Sequence, residues 1–152
     1  MSILLVSVVA GLLLDRMVYY QEAAEKSSME QVALDLRSSV NLRAAELVLE
    51  NRFAELRVLA AENPMDLLVR KPQNYLGVLK NSGSERTEPG NWYYDLASRE
   101  VVYYVDLGRY FTPDERGRKR VAWQVLTVSG PVGPTDNPQW ARLELVHPYR
   151  WF

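Results

Sequence analysis

The residue types that most often carry catalytic chemistry are scarce in this chain, which limits the reactions that it could support. It contains one histidine, His147, and no cysteine. A single histidine cannot build an HExxH-type zinc site, and the absence of cysteine removes thiol nucleophiles, disulfides and cysteine-ligated zinc. The serine pairs at 27–28 and 38–39 fall on a predicted helix without a base at suitable spacing. We therefore expect no enzymatic activity and interpret His147 as a surface residue at the end of a strand.

One cluster of positive charge could bind phosphate groups. It consists of Arg116, Arg118, Lys119 and Arg120. Exposed lysines and arginines of this kind neutralise the backbone of nucleic acids. However, the negative charges of Asp114 and Glu115 partly cancel the positive electrostatic potential of the cluster. The whole chain has 18 basic and 19 acidic residues and a net charge of −1. We interpret the cluster as part of a loop whose charges keep a sheet edge soluble, with an anion-binding patch as the alternative. We expect neither a nucleic-acid partner nor a small-molecule substrate.

The first third of the chain predicts a long helix. Residues 17–62 contain neither proline nor glycine and are rich in strong helix formers. One face of this helix carries apolar residues at helical spacing, namely Met29, Val32, Leu36, Val40 and Leu47. Asn51 is expected to interrupt the helix, and a second short helix then ends before the Asn63-Pro64 pair.

The segment that precedes residue 17 is uncharged and apolar up to Leu14. Its candidate membrane or assembly residues are Ile3, Leu4, Leu5, Val6, Val8, Val9, Gly11, Leu12, Leu13 and Leu14. As a helix this run extends about 20 Å, which is short of the ~20 residues that cross a bilayer core. A cleaved signal peptide normally has basic residues before its apolar run, whereas here only Met1 precedes it and Asp15-Arg16 follow. We therefore favour a helix that continues from an apolar start.

The C-terminal part of the chain predicts strands. Residues 91–95 and 100–105 are aromatic and β-branched and form a predicted hairpin, followed by strands at 121–128 and 141–146. The expected fold is α+β, with a long N-terminal helix packed on a small antiparallel sheet of three to four strands. Four regions follow from this reading: 1–16 is the apolar membrane or assembly segment, 17–62 the amphipathic continuation of the helix, 63–90 a connecting region and 91–152 the sheet.

In this order of elements the chain resembles the type IV pilins and the pseudopilins of type II secretion. The resemblance rests on the apolar run VSVVAGLLLDR, the charged helix YYQEAAEKSSMEQVALDLR and the aromatic hairpin NWYYDLASREVVYYV. The family's signature of a glycine, a phenylalanine and a glutamate before the apolar helix is absent. Alignment on residues 10–14 therefore implies that this chain begins several residues inside the family's apolar segment.

The resemblance also raises the question of calcium, because some pseudopilins hold this ion in a C-terminal loop. The carboxylates in or near the predicted loops are Asp95, Asp106, Asp114, Glu115 and Asp136. Calcium takes six or more oxygen ligands, and these residues lack the closely alternating spacing of a calcium-binding loop. We favour solvated turns and no cofactor, with a calcium site as the alternative.

The function implied by the resemblance is that of a structural subunit. Such a subunit sits in the inner membrane through its N-terminal helix, displays its C-terminal domain in the periplasm or in an extracellular filament, and assembles with copies of itself or with related pilin-like subunits. The alternative is a membrane-anchored periplasmic sensory or accessory domain. A sensor usually has a second apolar span that returns the chain to the cytoplasm, and residues 15–152 contain none.

The last four residues, 149–152, are unusually apolar, since they include a tyrosine, a tryptophan and a phenylalanine. Chain ends are normally polar and frayed. We therefore predict that this segment, which we call the tail, packs against the sheet or against a neighbouring subunit.

Overall fold

Helix α1 (Ser2–Leu49) is 48 residues long and forms the first third of the chain. The computed structural model of the protein describes residues 2–80, 87–129 and 138–152. Helix α1 ends where the sequence predicts an interruption: Asn51 has φ of 59°, a left-handed conformation that asparagine adopts more readily than most residues. Helix α2 (Glu55–Ala61) and a 3₁₀ turn (Pro64–Leu67) follow.

The part of α1 beyond residue 21 packs on the sheet through one face. Its buried apolar residues are Met29, Ala33, Leu36, Val40, Ala44 and Leu47. Their steps of three and four place them on a single stripe of the helix, as the sequence predicts. Val32 lies at the margin of this stripe and is half-buried. Because only this half of α1 has a sheet to cover, the first turns of the helix extend beyond the folded domain.

The sheet has five strands in the spatial order of the chain. They are β1 (Tyr75–Leu79), β2 (Asn91–Asp95), β3 (Glu100–Tyr104), β4 (Arg120–Val128) and β5 (Trp140–Leu145). The predicted hairpin is confirmed: β2 and β3 pair antiparallel, with Tyr93 opposite Val102. Strands β4 and β5 continue the antiparallel order, with Val102 opposite Ala122 and Val125 opposite Leu143. The predicted α+β class is therefore observed.

The expected strand number and pairing were wrong in one respect, because β1 adds a fifth strand and makes the sheet mixed. It lies in the region expected to connect helix and sheet, and it pairs parallel with β2, with Tyr75 opposite Trp92. Its five residues include Gly77, which has φ of 98°, and the register shifts between Tyr75 and Val78. Local sequence therefore favours a loop here, and the strand forms because the edge of β2 offers backbone hydrogen bonds.

The main core lies between α1 and the inner face of the sheet. Trp92 is at its centre, with ring centroids 5.1 Å from Tyr103 and 5.3 Å from Trp123. The opposite face of the sheet carries a smaller cluster formed by Tyr93, Val102 and Ala122. This alternation follows the two-residue period of the strands.

Candidate functional site

The most unusual surface of the molecule is the start of α1, residues 3–14, which we call the apolar rod. Eight large apolar side chains of the rod are between 48% and 84% exposed: Ile3, Leu5, Val6, Val8, Val9, Leu12, Leu13 and Leu14. At 100° per residue these eight positions cover roughly two thirds of the circumference of the helix. A helix that is apolar all round is normally buried in lipid or among other helices.

Gly11 lies inside the rod, and its Cα faces open space, with no atom of another residue within 4 Å of a Cβ placed there. Glycine weakens a helix interior by about 1 kcal/mol relative to alanine. Among the residues that the structure describes, no helix has a stretch that is both long enough and apolar enough to cross a membrane.

Directly after the rod, a set of hydrogen bonds ties α1 to the rest of the domain. We call it the clasp: it joins residues 22–30 of α1 to residues 103–111 and to the tail. Glu22 is fully buried, and its Oε1 accepts hydrogen bonds from the backbone N–H of Tyr110 at 2.9 Å and from Nε1–H of Trp151 at 2.8 Å. Its Oε2 is buried without a hydrogen-bond partner among the described residues. Hydrogen bonds to a carboxylate are stronger than those between neutral groups, so Glu22 holds two remote segments at one point.

Glu25, one helical turn later, forms the second part of the clasp. Its Oε1 accepts from the hydroxyl of Tyr103 at 2.8 Å and from the backbone N–H of Asp106 at 2.7 Å. Its Oε2 accepts from the N–H of Leu107 at 2.7 Å. Burial of the phenol and its hydrogen bond to Glu25 raise the pKa of Tyr103 well above its usual range. Strand β3 and the loop that follows it are therefore fixed to α1 by three donors that converge on the side chain of Glu25.

The tail completes the clasp. Phe111 and Trp151 form an isolated antiparallel bridge, and Trp151 is buried in the main core. Nζ of Lys26 donates to the carbonyl of Trp151 at 3.3 Å, and the hydroxyl of Tyr149 donates to Glu30 at 3.0 Å. The tail was predicted to pack against the sheet or a neighbouring subunit; its Trp151 lies in the main core between sheet and helix, and most of its polar contacts are with α1.

The predicted basic cluster is organised around one acid rather than as a single cationic surface. Asp114 lies 3.0 Å from Nε of Arg118 and 3.6 Å from Nε of Arg120, and its Oδ1 accepts from the backbone N–H of Arg116 and of Arg118. Burial alone would raise the pKa of Asp114, but these backbone hydrogen bonds and the charge of Arg118 outweigh it and lower the pKa. The stem of Lys119 lies against Gly108, away from this acid-centred turn.

A cleft separates this turn from the segment that follows β5. It has a volume of about 570 Å³ and is lined by residues of both sides, including Glu115, Arg116 and His147. His147 is exposed, two residues after the end of β5. It has no hydrogen-bond or ion-pair partner within the described part of the chain, as expected of a surface histidine.

The carboxylates considered for calcium are dispersed. Asp95 is buried and its Oδ1 accepts from the N–H of Ala97 at 3.0 Å, which stabilises the turn of the β2–β3 hairpin. In residues 2–80, 87–129 and 138–152, no group of three or more histidine or carboxylate side chains could hold a metal ion. Asp136 lies outside the described residues.

The roles of Glu22 and Glu25 were missed in the sequence, where neither residue was singled out from the charged helix. A signal was present for Glu22, because residues 22, 29 and 36 are spaced by seven and lie on one stripe, so that Glu22 falls on the buried face with Met29 and Leu36. No protein-family model matches the chain, and no curated protein or solved structure shows significant similarity to it.

Proposed function

We propose that this protein is a structural subunit of a pilin-like or pseudopilin filament, of the kind found in type IV pili and type II secretion systems. In this proposal the apolar rod enters the inner membrane, and the α+β domain lies in the periplasm or on an extracellular filament. On assembly, the rods of successive subunits pack together at the filament core. The subunit needs no catalytic residue for this role.

The observation that carries the proposal is the exposure of the rod on every side. Burying a large apolar side chain completely contributes about 1.5–3 kcal/mol, so eight such side chains left in water represent a large unfavourable surface. Lipid covers this surface in a free subunit. In a filament the neighbouring rods cover it, with a gain in packing contacts because protein interiors are denser than liquids.

The clasp supports the same function. A filament repeats one geometry, so each subunit must hold its domain at a fixed angle to its rod. Glu22 and Glu25 fix the domain to α1 only eight and eleven residues beyond Leu14, and they do so from the side of the helix that faces the sheet. The joint between rod and domain is therefore set by specific hydrogen bonds, most of them at least partly buried, and not by a flexible linker.

Cysteine cross-linking in the cells that produce the protein tests the proposal, because the natural chain contains no cysteine. We expect the double variant Leu5→Cys/Leu13→Cys to give a ladder of dimers, trimers and larger species after oxidation. In a head-to-tail assembly each subunit touches one neighbour above and one below, so two cysteines per chain can link many copies.

The single variants Leu5→Cys and Leu13→Cys are the matched controls, since one cysteine per chain cannot link more than two copies. Exclusively monomeric protein in the double variant, with the protein in the membrane fraction, would contradict the filament and favour the anchored periplasmic sensory or accessory domain. Dimers without any larger cross-linked species in the double variant would also contradict the filament and favour the anchored domain.

A further inference from the structure

A group of aromatic rings lies directly beyond the apolar rod, and we call it the collar. It consists of Tyr19, Tyr20, Tyr110 and Phe152, whose exposed fractions lie between 37% and 66%. Single exposed apolar residues are common on protein surfaces and need no explanation. These four partly exposed rings contact one another and lie about one helical turn beyond the apolar rod, after the exposed Asp15 and Arg16. A patch of this kind calls for a partner.

The collar is assembled from three separate segments of the chain. The ring centroid of Tyr19 lies 5.8 Å from that of Tyr20, 5.8 Å from that of Tyr110 and 4.9 Å from that of Phe152. Tyr110 and Phe152 are 5.5 Å apart. The clasp holds these segments together, because the N–H of Tyr110 donates to Glu22 and the N–H of Phe152 donates to the carbonyl of Tyr110. The collar is therefore a fixed feature of the fold.

Positive charges lie around the collar. The guanidinium of Arg109 is 5.8 Å from the ring centroid of Tyr110 and also pairs with Asp15 at 2.7 Å. Nζ of Lys26 is 5.7 Å from the ring centroid of Phe152. Aromatic rings with a polar edge, together with lysine and arginine, are concentrated where membrane proteins cross from hydrocarbon to water. The collar has this composition at the end of the rod, where such a boundary would fall.

We propose that the collar binds the headgroup region of a phospholipid bilayer while the rod lies in the hydrocarbon. The proposal rests on the proposed function only in requiring that the rod enters lipid. From Tyr19 to Leu14 the helix rises about 8 Å, and from Leu14 to Ile3 about 16 Å more, so a collar in the headgroup layer places Leu14 near the edge of the hydrocarbon and Ile3 near the middle of its ~30 Å core. Because Tyr110 and Phe152 belong to the domain and not to α1, this binding fixes the domain on the membrane surface as well as the depth of the helix.

Depth-dependent quenching in vesicles tests this arrangement. Three single-cysteine variants of the full chain, Leu5→Cys, Tyr20→Cys and Leu42→Cys, replace residues of closely matched exposure, 69%, 66% and 64%. Each is labelled with bimane and reconstituted in phosphatidylcholine vesicles that carry a nitroxide either on the headgroup or deep in the acyl chain. We expect residue 20 to be quenched most strongly by the headgroup nitroxide, residue 5 by the deep nitroxide and residue 42 by neither.

Two results would overturn the proposal that the collar binds the headgroup region. The first is a residue 20 label that behaves like the residue 42 label while residue 5 is quenched in the acyl region, since the rod is then inserted and the collar remains in water. The second is a label at residue 20 that neither nitroxide quenches when the protein-to-lipid ratio is high, although it is quenched when the ratio is low. This result would show that a second copy of the chain covers the collar.

A partition measurement adds a test that needs no label. The double variant Tyr20→Ser/Phe152→Ser should bind phosphatidylcholine vesicles on the order of tenfold more weakly than the natural chain, because two interfacial rings are lost. Leu34→Ser/Leu42→Ser, which alters exposed residues of α1 far from the rod, should bind with unchanged affinity. Equal weakening in both double variants would contradict a specific role for the collar.

The collar and the filament can fail independently. Headgroup quenching at residue 20 without a cross-linked ladder would support the collar and refute the filament. A cross-linked ladder together with a residue 20 label that neither nitroxide quenches would support the filament and refute the binding of the collar to the headgroups.

Discussion

The Nε1–H group of Trp151 donates a 2.8 Å hydrogen bond to Oε1 of Glu22, and it joins residues that are 129 positions apart in the chain. The same oxygen accepts from the backbone of Tyr110, so three segments meet at one buried carboxylate. The tail is therefore a structural part of the helix–domain joint.

Replacing Trp151 with phenylalanine tests the strength of this joint. The substitution keeps an aromatic ring in the core but leaves Glu22 with one donor instead of two. Removing one partner of a buried hydrogen bond costs about 1–3 kcal/mol, and we expect the free energy of unfolding in urea to fall by that amount. Trp140→Phe is the control, since the indole N–H of Trp140 has no acceptor among the described residues. A similar loss in both variants would mean that ring size, and not the bond to Glu22, determines the stability.

Replacing Glu25 with alanine removes the acceptor for Tyr103, Asp106 and Leu107 at once. We expect a loss of about 2–4 kcal/mol in the free energy of unfolding, because donors in and near the core are left without a protein acceptor. Glu46→Ala on the same helix removes only an exposed ion pair with Arg43 and should cost about 0.5 kcal/mol or less. Equal effects of the two substitutions in urea unfolding would contradict the role assigned to Glu25.

Alkaline pH should destabilise the protein through its clasp tyrosines. Burial and the hydrogen bond to Glu30 raise the pKa of Tyr149 to about 12, against about 10 in an unfolded chain. Between these values the folded state holds more protons than the unfolded state, so the stability present below pH ~10 is lost as the pH rises toward 12. Tyr149→Phe removes this contribution, and its free energy of unfolding should fall less steeply over the same interval. Parallel pH profiles for the two proteins would show that Tyr149 does not contribute.

Acid should weaken the turn around Asp114. The pKa of this carboxyl is lowered, so its stabilising contribution is present above its unfolded pKa of about 4 and is lost as the pH falls through the folded value. Asp114→Asn should lower the melting temperature at neutral pH and make it less sensitive to acid below pH ~4. Asp35→Asn is the control, because the side chain of this exposed residue of α1 makes, within the described part of the chain, only an exposed hydrogen bond with Gln31, and it should leave the melting temperature at neutral pH nearly unchanged.

The core stripe of α1 gives a comparison between neighbouring leucines. Leu36 is fully buried, whereas Leu34 is 52% exposed on the other side of the helix. Leu36→Ala should reduce the free energy of unfolding by about 2–5 kcal/mol through lost burial and a cavity. Leu34→Ala should change it by about 0.5 kcal/mol or less. Equivalent losses at both positions would mean that α1 packs on the sheet through a different face.

The elements that local sequence determines could be predicted, and those that depend on remote partners could not. The stripe through Met29, Leu36 and Val40 repeats with the helical period, and the β2–β3 hairpin has aromatic and β-branched strands joined by a short turn. Strand β1 has no comparable signal, because Gly77 interrupts five residues whose pairing depends on the edge of β2.

The candidate site shows the same division. The composition of the apolar rod predicts that it needs lipid or protein to cover it. The clasp and the collar escaped prediction because each joins α1 to residues about 80 to 130 positions later, such as Tyr110 and Phe152. The acid-centred turn at Asp114 likewise depends on backbone N–H groups, whose directions are set by the loop conformation and not by residue type.

The clasp also dictates an order of events during biosynthesis. Trp151 lies 129 residues after Glu22, and at roughly 5–20 residues per second a ribosome needs about 6–26 s to add them. The apolar rod therefore leaves the ribosome well before Glu22 acquires its final donor. If the rod enters a membrane as we propose, the chain is anchored before its domain is complete, and a translation arrest before residue 151 would leave Glu22 with the N–H of Tyr110 as its one remaining donor.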